Sequence, residues 1–248
     1  MIAHSGVTHV RAPAKLTLSL RVTAVRADGF HEIDAEMVTL DFGDELRIDP
    51  AGDSLTVDGP FATGIGNDDS NLVSRALRLA GRRAGVHLTK NVPHGAGLGG
   101  GSADAAAVLR WAGYDDLVGA SRLGADVPFC MVGGRARVTG IGEIITPLEF
   151  VPLDVTLVVP PLVVSTPAVY RAWDSLPTGS RSGERNDLEA AACAVEPRLT
   201  AWKARITAEC GATPTLAGSG STWFVDGKHP HLAAALPEAT VVVASTQR

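Results

Sequence analysis

The segment whose residue types most clearly suggest chemistry is a glycine-rich loop in front of a predicted helix. Five of the seven residues in the range 95–101 are glycine, and Ser102 follows them directly. Glycine lets backbone N–H groups approach a ligand closely, and a helix N-terminus carries unpaired N–H groups and partial positive charge. Phosphate is the natural ligand of such a loop, and the Ser102 hydroxyl would add a ligand for phosphate or for a metal ion. We therefore predict a phosphate site here rather than a flexible linker.

Two well-known phosphate motifs fit this loop poorly. A Walker A loop needs lysine and then Ser or Thr after its last glycine, whereas Gly101 is followed by Ser102 and alanine. The loop does match the letters of the dinucleotide fingerprint, with acidic residues at Asp115 and Asp116. In that fold the acid follows a second strand, and the sequence leaves no room for one after Trp111. A dinucleotide-dependent oxidoreductase is therefore disfavoured.

A second glycine segment, Gly218-Ser219-Gly220, lies near the other end of the chain. By itself it predicts a tight turn between two strands. Together with the first loop, it would line the same phosphate site from the opposite side.

The elements that must position these loops are mixed strands and helices. Apolar residues alternate over 16–23, Asp28-Gly29 is typical of a hairpin turn, and residues 33–41 form the return strand. Further strands are predicted at 45–49, 54–58 and 86–90, with one helix capped by Ser70 and ended by Gly85, and a buried helix over 103–112. In the second half we expect strands at 154–160, 222–226 and 240–244 and helices at 167–176, 186–195, 197–210 and 231–236. The change of pattern after Gly142 indicates a domain boundary near residue 150, with one domain over 1–150 and another over 151–248.

Composition limits the class of protein. The chain has 248 residues, 45% hydrophobic and 20% charged, with a net charge of −5. No basic excess indicates a nucleic-acid partner, and no apolar run is long enough to span a membrane. The three cysteines, Cys130, Cys193 and Cys210, have no paired spacing. We expect a reduced cytoplasmic protein, monomeric or homodimeric, that acts on a small molecule.

Three segments in order along the chain resemble the motifs of the GHMP small-molecule kinases. They are Pro13-Ala14-Lys15-Leu16, the loop from Pro93 to Ser102, and Gly218-Ser219-Gly220. The resemblance implies a two-lobed α+β fold with the active site in the cleft between lobes. It also implies ATP as co-substrate and Mg²⁺ as cofactor.

Further segments at 26–32, 124–129 and 140–143 resemble one branch of that family, whose acceptor is a cytidine-diphosphate sugar alcohol of the non-mevalonate isoprenoid pathway. The implied reaction transfers the γ-phosphoryl group of ATP to the 2-hydroxyl of this acceptor. Two alternatives stay open, a kinase for another sugar alcohol and a non-catalytic nucleotide-binding paralogue. The presence of both Lys15 and Asp126 argues against the second alternative.

The resemblance also assigns roles to individual residues. Lys15 and Asp126 match the catalytic pair, and Ser102 is a candidate Mg²⁺ ligand. The residues matching ATP-binding positions are Asn71, Pro93, Gly95, Gly97, Leu98, Gly99, Gly100, Gly101 and Ser102. The residues matching acceptor-binding positions are Thr17, Phe30, His31, Thr166, Gly218, Ser219 and Gly220.

Taken singly, most of these residues have a simpler explanation, such as a surface lysine, a turn aspartate or a helix cap at Asn71 or Thr166. Their joint occurrence in family order favours the functional interpretation. The sequence departs from the branch at Thr17, where asparagine is usual, at Phe30, where tyrosine is usual, and in a shortened stretch between Trp111 and Gly124. These departures concern the identity of the acceptor more than phosphoryl transfer.

Overall fold

The fold is known from a computed structural model that describes residues 6–177, 181 and 183–248. The described residues form strands and helices in mixed order, as the predicted α+β class requires. The strands are β1 Thr8–Val25, β2 His31–Asp49, β3 Leu55–Asp58, β4 Gly85–Thr89, β5 Arg135–Gly140, β6 Ile144–Pro147, β7 Asp154–Val159, β8 Thr215–Leu216, β9 Trp223–Asp226 and β10 Thr240–Gln247. The helices are α1 Leu72–Leu79, α2 Gly100–Ala112, α3 Leu117–Ser121, α4 Val127–Val132, α5 Thr166–Ser175, α6 Glu189–Val195, α7 Arg198–Cys210 and α8 Leu232–Ala235.

The first half is built on a long antiparallel hairpin of β1 and β2, turning at Asp28-Gly29 as predicted. The predicted strands over 33–41 and 45–49 are one continuous strand, β2. Strand β1 is also longer than the alternating segment at 16–23, since it begins at Thr8 and ends at Val25. Pro13 lies inside it at a shift of register with β2, and proline within a run of residues weakens the sequence signal of a strand.

One strand connects the sheets of the two halves of the chain. The order β3-β4-β2-β10-β7-β9-β8 runs through β10, which pairs antiparallel with both β2 and β7. The contact with β2 consists of Thr246 opposite Leu40 and Gln247 opposite Thr39. The predicted boundary near residue 150 falls between β6 and β7.

Helix α1 differs at both ends from the prediction. Asn71, not Ser70, is the N-cap, and its side-chain oxygen accepts a hydrogen bond from the backbone N–H of Val73. The helix ends at Leu79, and Gly85 instead opens strand β4. Asparagine and serine cap helices equally well, so the sequence alone did not distinguish them.

Helix α2 follows the glycine loop and lies in the core, as its apolar sequence predicts. Residues 103–109 are all buried, and most are alanine, which allows close packing against α1, α4 and β1. Gly113 ends the helix in the left-handed conformation, with φ of 72°. Among the described residues, no helix has the length and apolar character needed to cross a bilayer. All three cysteines are free.

Candidate active site

The two residues predicted to be catalytic lie side by side. Lys15 is on β1, and Asp126 is the residue before α4. The Lys15 Nζ lies 3.2 Å from the Asp126 Oδ2. The lysine side chain is 5% exposed, whereas that of the aspartate is 31% exposed. A buried ammonium group therefore faces a carboxylate that a ligand can reach, and the two stabilise each other's charged forms.

A break in the pairing of β1 with β2 helps to place Lys15. The register shifts between Pro13 and Lys15, and the Lys15 backbone N–H donates to the carbonyl oxygen of Leu98 in the glycine loop at 3.0 Å. The Lys15 Nζ also donates to the Thr17 hydroxyl at 3.2 Å. Thr17 is buried, so its hydroxyl serves Lys15 in this structure. The lysine thus connects the strand, the loop and Asp126.

The position of the Lys15 side chain requires glycine at residue 99. A Cβ atom at this position would lie 2.7 Å from the Lys15 Cγ and 3.1 Å from its Cε, and the backbone φ is +69°. Both facts exclude a side chain. The sequence suggested that this glycine makes room for a phosphate, and the structure adds that it makes room for the stem of Lys15. Gly99 also lines the cavity described next, so this residue connects the lysine to the cavity.

The glycine loop forms one wall of a cavity of about 430 Å³. The predicted nucleotide residues all line it, namely Asn71, Pro93, Gly95, Gly97, Leu98, Gly99, Gly100, Gly101 and Ser102. The amide of Asn71 is already engaged, because it caps α1 and donates to the carbonyl oxygen of Gly66 at 2.7 Å. Asn71 therefore shapes the cavity wall while its side chain holds the start of the helix.

The two glycine segments meet, although they come from opposite halves of the chain. A Cβ atom on Gly97 would lie 2.8 Å from the carbonyl oxygen of Gly220 and 2.9 Å from that of Ala217. The Thr222 hydroxyl donates to the carbonyl oxygen of Ala96 at 2.6 Å. The second segment also approaches Thr17, the hydrogen-bond partner of Lys15. A Cβ atom on Gly218 would lie 3.8 Å from the Thr17 hydroxyl.

Thr166 and Ser219 form a separate polar contact beside these loops. Their hydroxyl oxygens are 2.7 Å apart, and either can be the donor. Thr166 is the first residue of α5, but Ser165 caps that helix through the N–H of Ala168. The resemblance assigned both Thr166 and Ser219 to acceptor-binding positions, and the structure brings their hydroxyl groups together.

Phe30 and His31, which the resemblance assigned to acceptor-binding positions, lie where the hairpin meets α5. Phe30 is 57% exposed, and the His31 side chain is largely buried. The His31 ring lies 4.7 Å from the Tyr170 ring and 5.7 Å from the Trp173 ring, measured between centroids. Its Nε2 lies 2.7 Å from the Oδ1 of Asp174. Tyr170, Trp173 and Asp174 were not predicted as site residues from the sequence, although their spacing of three and four on a predicted helix puts them on one face.

Tyr170 packs against His31 and is influenced by the charge of Asp126. The pKa of Tyr170 is raised to about 12, mainly by burial and further by the negative charge of Asp126. The phenol therefore stays neutral, next to the histidine and within electrostatic reach of Asp126.

Three buried charged residues, Lys90, Asp44 and Asp104, lie under the glycine loop and were not predicted from the sequence. The Lys90 Nζ donates to Asp104 Oδ2 at 2.6 Å and to Asp44 Oδ2. Asp44 Oδ1 accepts the backbone N–H groups of Asn91 and Val92, at 2.5 and 2.8 Å. This triad joins β2, the residues that lead into the loop and helix α2. The available signal was Asp104, the one charged residue within the apolar stretch 103–109.

Burial raises the pKa of Asp104 from its ordinary value near 3.8 to about 8, against the opposing effect of the Lys90 ammonium. Between about pH 4 and about pH 8, Asp104 therefore holds a proton in the folded protein that it has already released in the unfolded chain. Stability should fall as pH rises through that window. We expect Asp104→Asn to flatten this fall, as measured by urea unfolding at several pH values from about 5 to about 8.

A matched control for that measurement is Asp115→Asn, because Asp115 is exposed and makes no hydrogen bond or ion pair with the described residues. It should keep the pH dependence of the unaltered protein. Equal slopes for Asp104→Asn and the unaltered protein would contradict the assignment of the proton to Asp104.

Comparison with known proteins agrees with this geometry. Residues 71–134 match the family model described as the GHMP kinases N terminal domain. A 4-diphosphocytidyl-2-C-methyl-D-erythritol kinase of Paracoccus denitrificans is 43% identical over 235 residues, covering 86% of this chain and 84% of the relative. A kinase of the same name from Cereibacter sphaeroides is 38% identical over 246 residues, covering 88% of each chain.

Solved structures of kinases resemble this chain in fold. The crystal structure of a 4-(cytidine 5'-diphospho)-2C-methyl-D-erythritol kinase superposes with a TM-score of 0.76 at 32% identity, covering 97% of this chain and all of the other. A mevalonate kinase of L. major has a TM-score of 0.67 at 14% identity, covering 98% of each chain, and so shares the fold. Given these identities over most of both chains, the protein belongs to the 4-diphosphocytidyl-2-C-methyl-D-erythritol kinase family of GHMP kinases.

Proposed function

We propose that this protein transfers the γ-phosphoryl group of ATP to the 2-hydroxyl of 4-diphosphocytidyl-2-C-methyl-D-erythritol. The observation that carries the proposal is the Lys15–Asp126 pair beside a glycine-lined cavity, with Gly99 contacting both the lysine stem and the cavity. Relatives that are 38% and 43% identical over most of this chain bear the name of this kinase, which supports the proposal.

Phosphoryl transfer depends mainly on positioning and on stabilising charge. In this proposal, Asp126 accepts the proton of the acceptor hydroxyl as the oxygen attacks the γ-phosphorus. Lys15 keeps Asp126 ionised and stabilises negative charge on the attacking oxygen. Thr17 and the Leu98 carbonyl hold the lysine in place, and burial of its stem limits its movement. We assign Thr17 to this supporting role in addition to its place near the acceptor.

The phosphates of ATP would lie over the glycine loop at the start of α2. Gly97, Gly99 and Gly100 place backbone there without side-chain bulk, and the helix N-terminus favours the negative charge. The loop 218–220 would approach from the other side, with Ser219 and Thr166 offering hydroxyl groups toward the acceptor. We propose that residues 1–150 supply the nucleotide wall of the site and residues 151–248 the facing wall.

Mg²⁺ fits the oxygen donors present at this site. The Ser102 hydroxyl lies 3.6 Å from the ideal Cβ position of Gly124, which precedes Asp126 by two residues. Within the described residues, no group of three or more His, Cys, Asp or Glu side chains is arranged to hold a metal ion. Mg²⁺ in kinase sites commonly uses one or two protein oxygens plus substrate phosphates, and Ser102 would supply such an oxygen. When bound, the ion would neutralise phosphate charge.

Phe30 and His31 would bind the cytosine of the acceptor. Phe30 exposes an aromatic face, and the adjacent His31 offers polar atoms for the base edge. Loss of the tyrosine hydroxyl at position 30 leaves this stacking surface intact. We further propose that the enzyme acts in the cytoplasm, as a monomer or a homodimer.

Phe30→Ala should raise the KM for the cytidine-bearing acceptor by about tenfold or more, since a stacked base contributes about 1–3 kcal/mol. The KM for ATP should stay unchanged, because Phe30 does not line the nucleotide cavity. Steady-state kinetics with each substrate varied in turn measures both values. Val25→Ala, which also removes an exposed apolar side chain near the end of the hairpin, should change neither. Equal changes in both KM values would contradict base stacking by Phe30.

A coupled assay of ADP release tests the proposed function directly. The cytidine-bearing acceptor is compared with galactose, homoserine and mevalonate at equal concentrations. We expect turnover with the cytidine-bearing acceptor and little with the others. Faster turnover of another alcohol would replace the proposed acceptor, and no turnover with any of them would favour a nucleotide-binding protein without catalytic activity.

A further inference from the structure

Asp174 on α5 holds the histidine proposed to read the base. Its Oδ1 lies 2.7 Å from the His31 Nε2, and the two rings of Tyr170 and Trp173 pack around the same imidazole. The imidazole is largely buried, whereas the Asp174 side chain is 44% exposed. Three contacts from one helix thus fix the position and tilt of a single ring. Fixing a ring this tightly is typical of a group whose individual atoms must face defined partners.

The contact with Asp174 also determines which ring nitrogen carries the proton. An ionised carboxylate can only accept a hydrogen bond, so His31 Nε2 must be the donor. In the neutral imidazole, Nδ1 is then an acceptor. Within the part of the chain that the structure describes, Nδ1 makes no hydrogen bond. It is therefore the ring nitrogen left for a ligand.

An acceptor at Nδ1 distinguishes two pyrimidine bases. Cytosine carries a 4-amino group, which donates hydrogen bonds, whereas uracil carries a 4-oxo group, which only accepts them. A bare Nδ1 therefore pairs with the amino group and is repelled by the oxo group. The opposite tautomer would place an N–H at Nδ1 and reverse this preference.

We propose that Asp174 is a positioning residue that sets the tautomer of His31 and thereby selects cytosine over uracil in the acceptor. The inference rests on the proposed function, since it concerns the base of the proposed acceptor. It adds a residue of α5 to the specificity of the site, acting through His31 without touching the substrate.

Binding of CDP and UDP to the full-length protein tests this role without requiring turnover. Calorimetry should show that the unaltered protein prefers CDP. Asp174→Asn should reduce that preference by about tenfold, the effect of one hydrogen bond, because an amide can either donate to Nε2 or accept from it. Asp174→Glu keeps a carboxylate and should retain more of the preference. Asp115→Asn makes the same change of charge at an exposed site and should leave the preference unchanged.

The outcomes separate this inference from the proposed function. If Asp174→Asn keeps the full preference for CDP, or weakens CDP and UDP binding equally, then Asp174 does not select the base. If the unaltered protein shows no preference yet turns over the cytidine-bearing acceptor, the selection fails while the kinase assignment stands. Absence of that turnover would instead remove the proposed function. Nitrogen-15 spectra of His31 provide an independent readout, and a proton on Nδ1 in the unaltered protein would overturn the proposal.

Discussion

Replacing Asp126 by asparagine is expected to lower kcat by about 100-fold or more, while ATP still binds. Asparagine cannot accept the proton of the attacking hydroxyl, and loss of a general base typically costs this much. The substitution also removes the charge that faces Lys15 at 3.2 Å, and the ammonium keeps the Thr17 hydroxyl as its side-chain partner among the described residues. The glycine loop, which provides the proposed phosphate contacts, is not altered. Single-turnover kinetics and ATP calorimetry on the same variant measure the two effects separately.

The matched control for this variant is Asp226→Asn. Asp226 is an exposed carboxylate paired with Arg185, and it lies outside the site. Its kcat should stay within about twofold of that of the unaltered enzyme, because exposed ion pairs contribute little. A near-normal rate for Asp126→Asn would remove Asp126 from the role of base. Loss of ATP binding in this variant would show instead that the carboxylate is needed to assemble the nucleotide site.

Lys90→Met should be the most destabilising single change considered for this protein. Lys90 lies between Asp44 and Asp104 and pairs with both, and all three side chains are almost fully buried. Without it, two carboxyl groups share a buried space, and breaking such a pair typically costs about 3–5 kcal/mol. Urea unfolding at neutral pH measures the loss. The loss should shrink at acidic pH, because a neutral carboxyl group is less costly to bury than a carboxylate.

An exposed lysine provides the comparison. Lys228 pairs with Asp154 at 3.3 Å, and its side chain is 58% exposed. Lys228→Met should change the free energy of unfolding by less than about 1 kcal/mol. If Lys90→Met behaved like Lys228→Met, the triad would contribute nothing to stability. The link that it makes between β2 and the glycine loop would then have to rest on other contacts.

Local patterns and motifs predicted the parts of this molecule that depend on neighbouring residues. The glycine loop, the buried helix behind it and most elements of the second half could be read from spacing and periodicity. The pairing of the two glycine segments followed from motif order. By contrast, the full extent of β1 was not predicted, because Pro13 interrupts the strand pattern at a shift of register with β2. The choice of Asn71 over Ser70 as cap depended on the path of the loop before α1, in which the Asn71 amide also donates to the carbonyl oxygen of Gly66.

The residues that the sequence did not reveal are those whose partners are distant in the chain. Lys90 and Asp44 look like ordinary strand-end charges until the fold brings them under the loop, 46 residues apart in sequence. Asp174 looks like an exposed helix residue until His31 is found beside it, 143 residues away. Gly99 could be assigned to phosphate binding, but its contact with the stem of Lys15 required coordinates. Long-range electrostatic and packing partners leave no local periodic signal.

The contact between the two glycine segments limits where this enzyme can be truncated and which of its segments can be exchanged separately. Thr222 bonds the Ala96 carbonyl from 126 positions away, and Gly97 lies against the backbone of Gly220. A truncated protein that ends near residue 150 would contain the whole glycine motif and still lack the partner that completes it. The same holds for chimeras between relatives. If the loop over 95–102 is exchanged for that of a relative, the segment 217–222 has to be exchanged with it, because the two segments pack against each other.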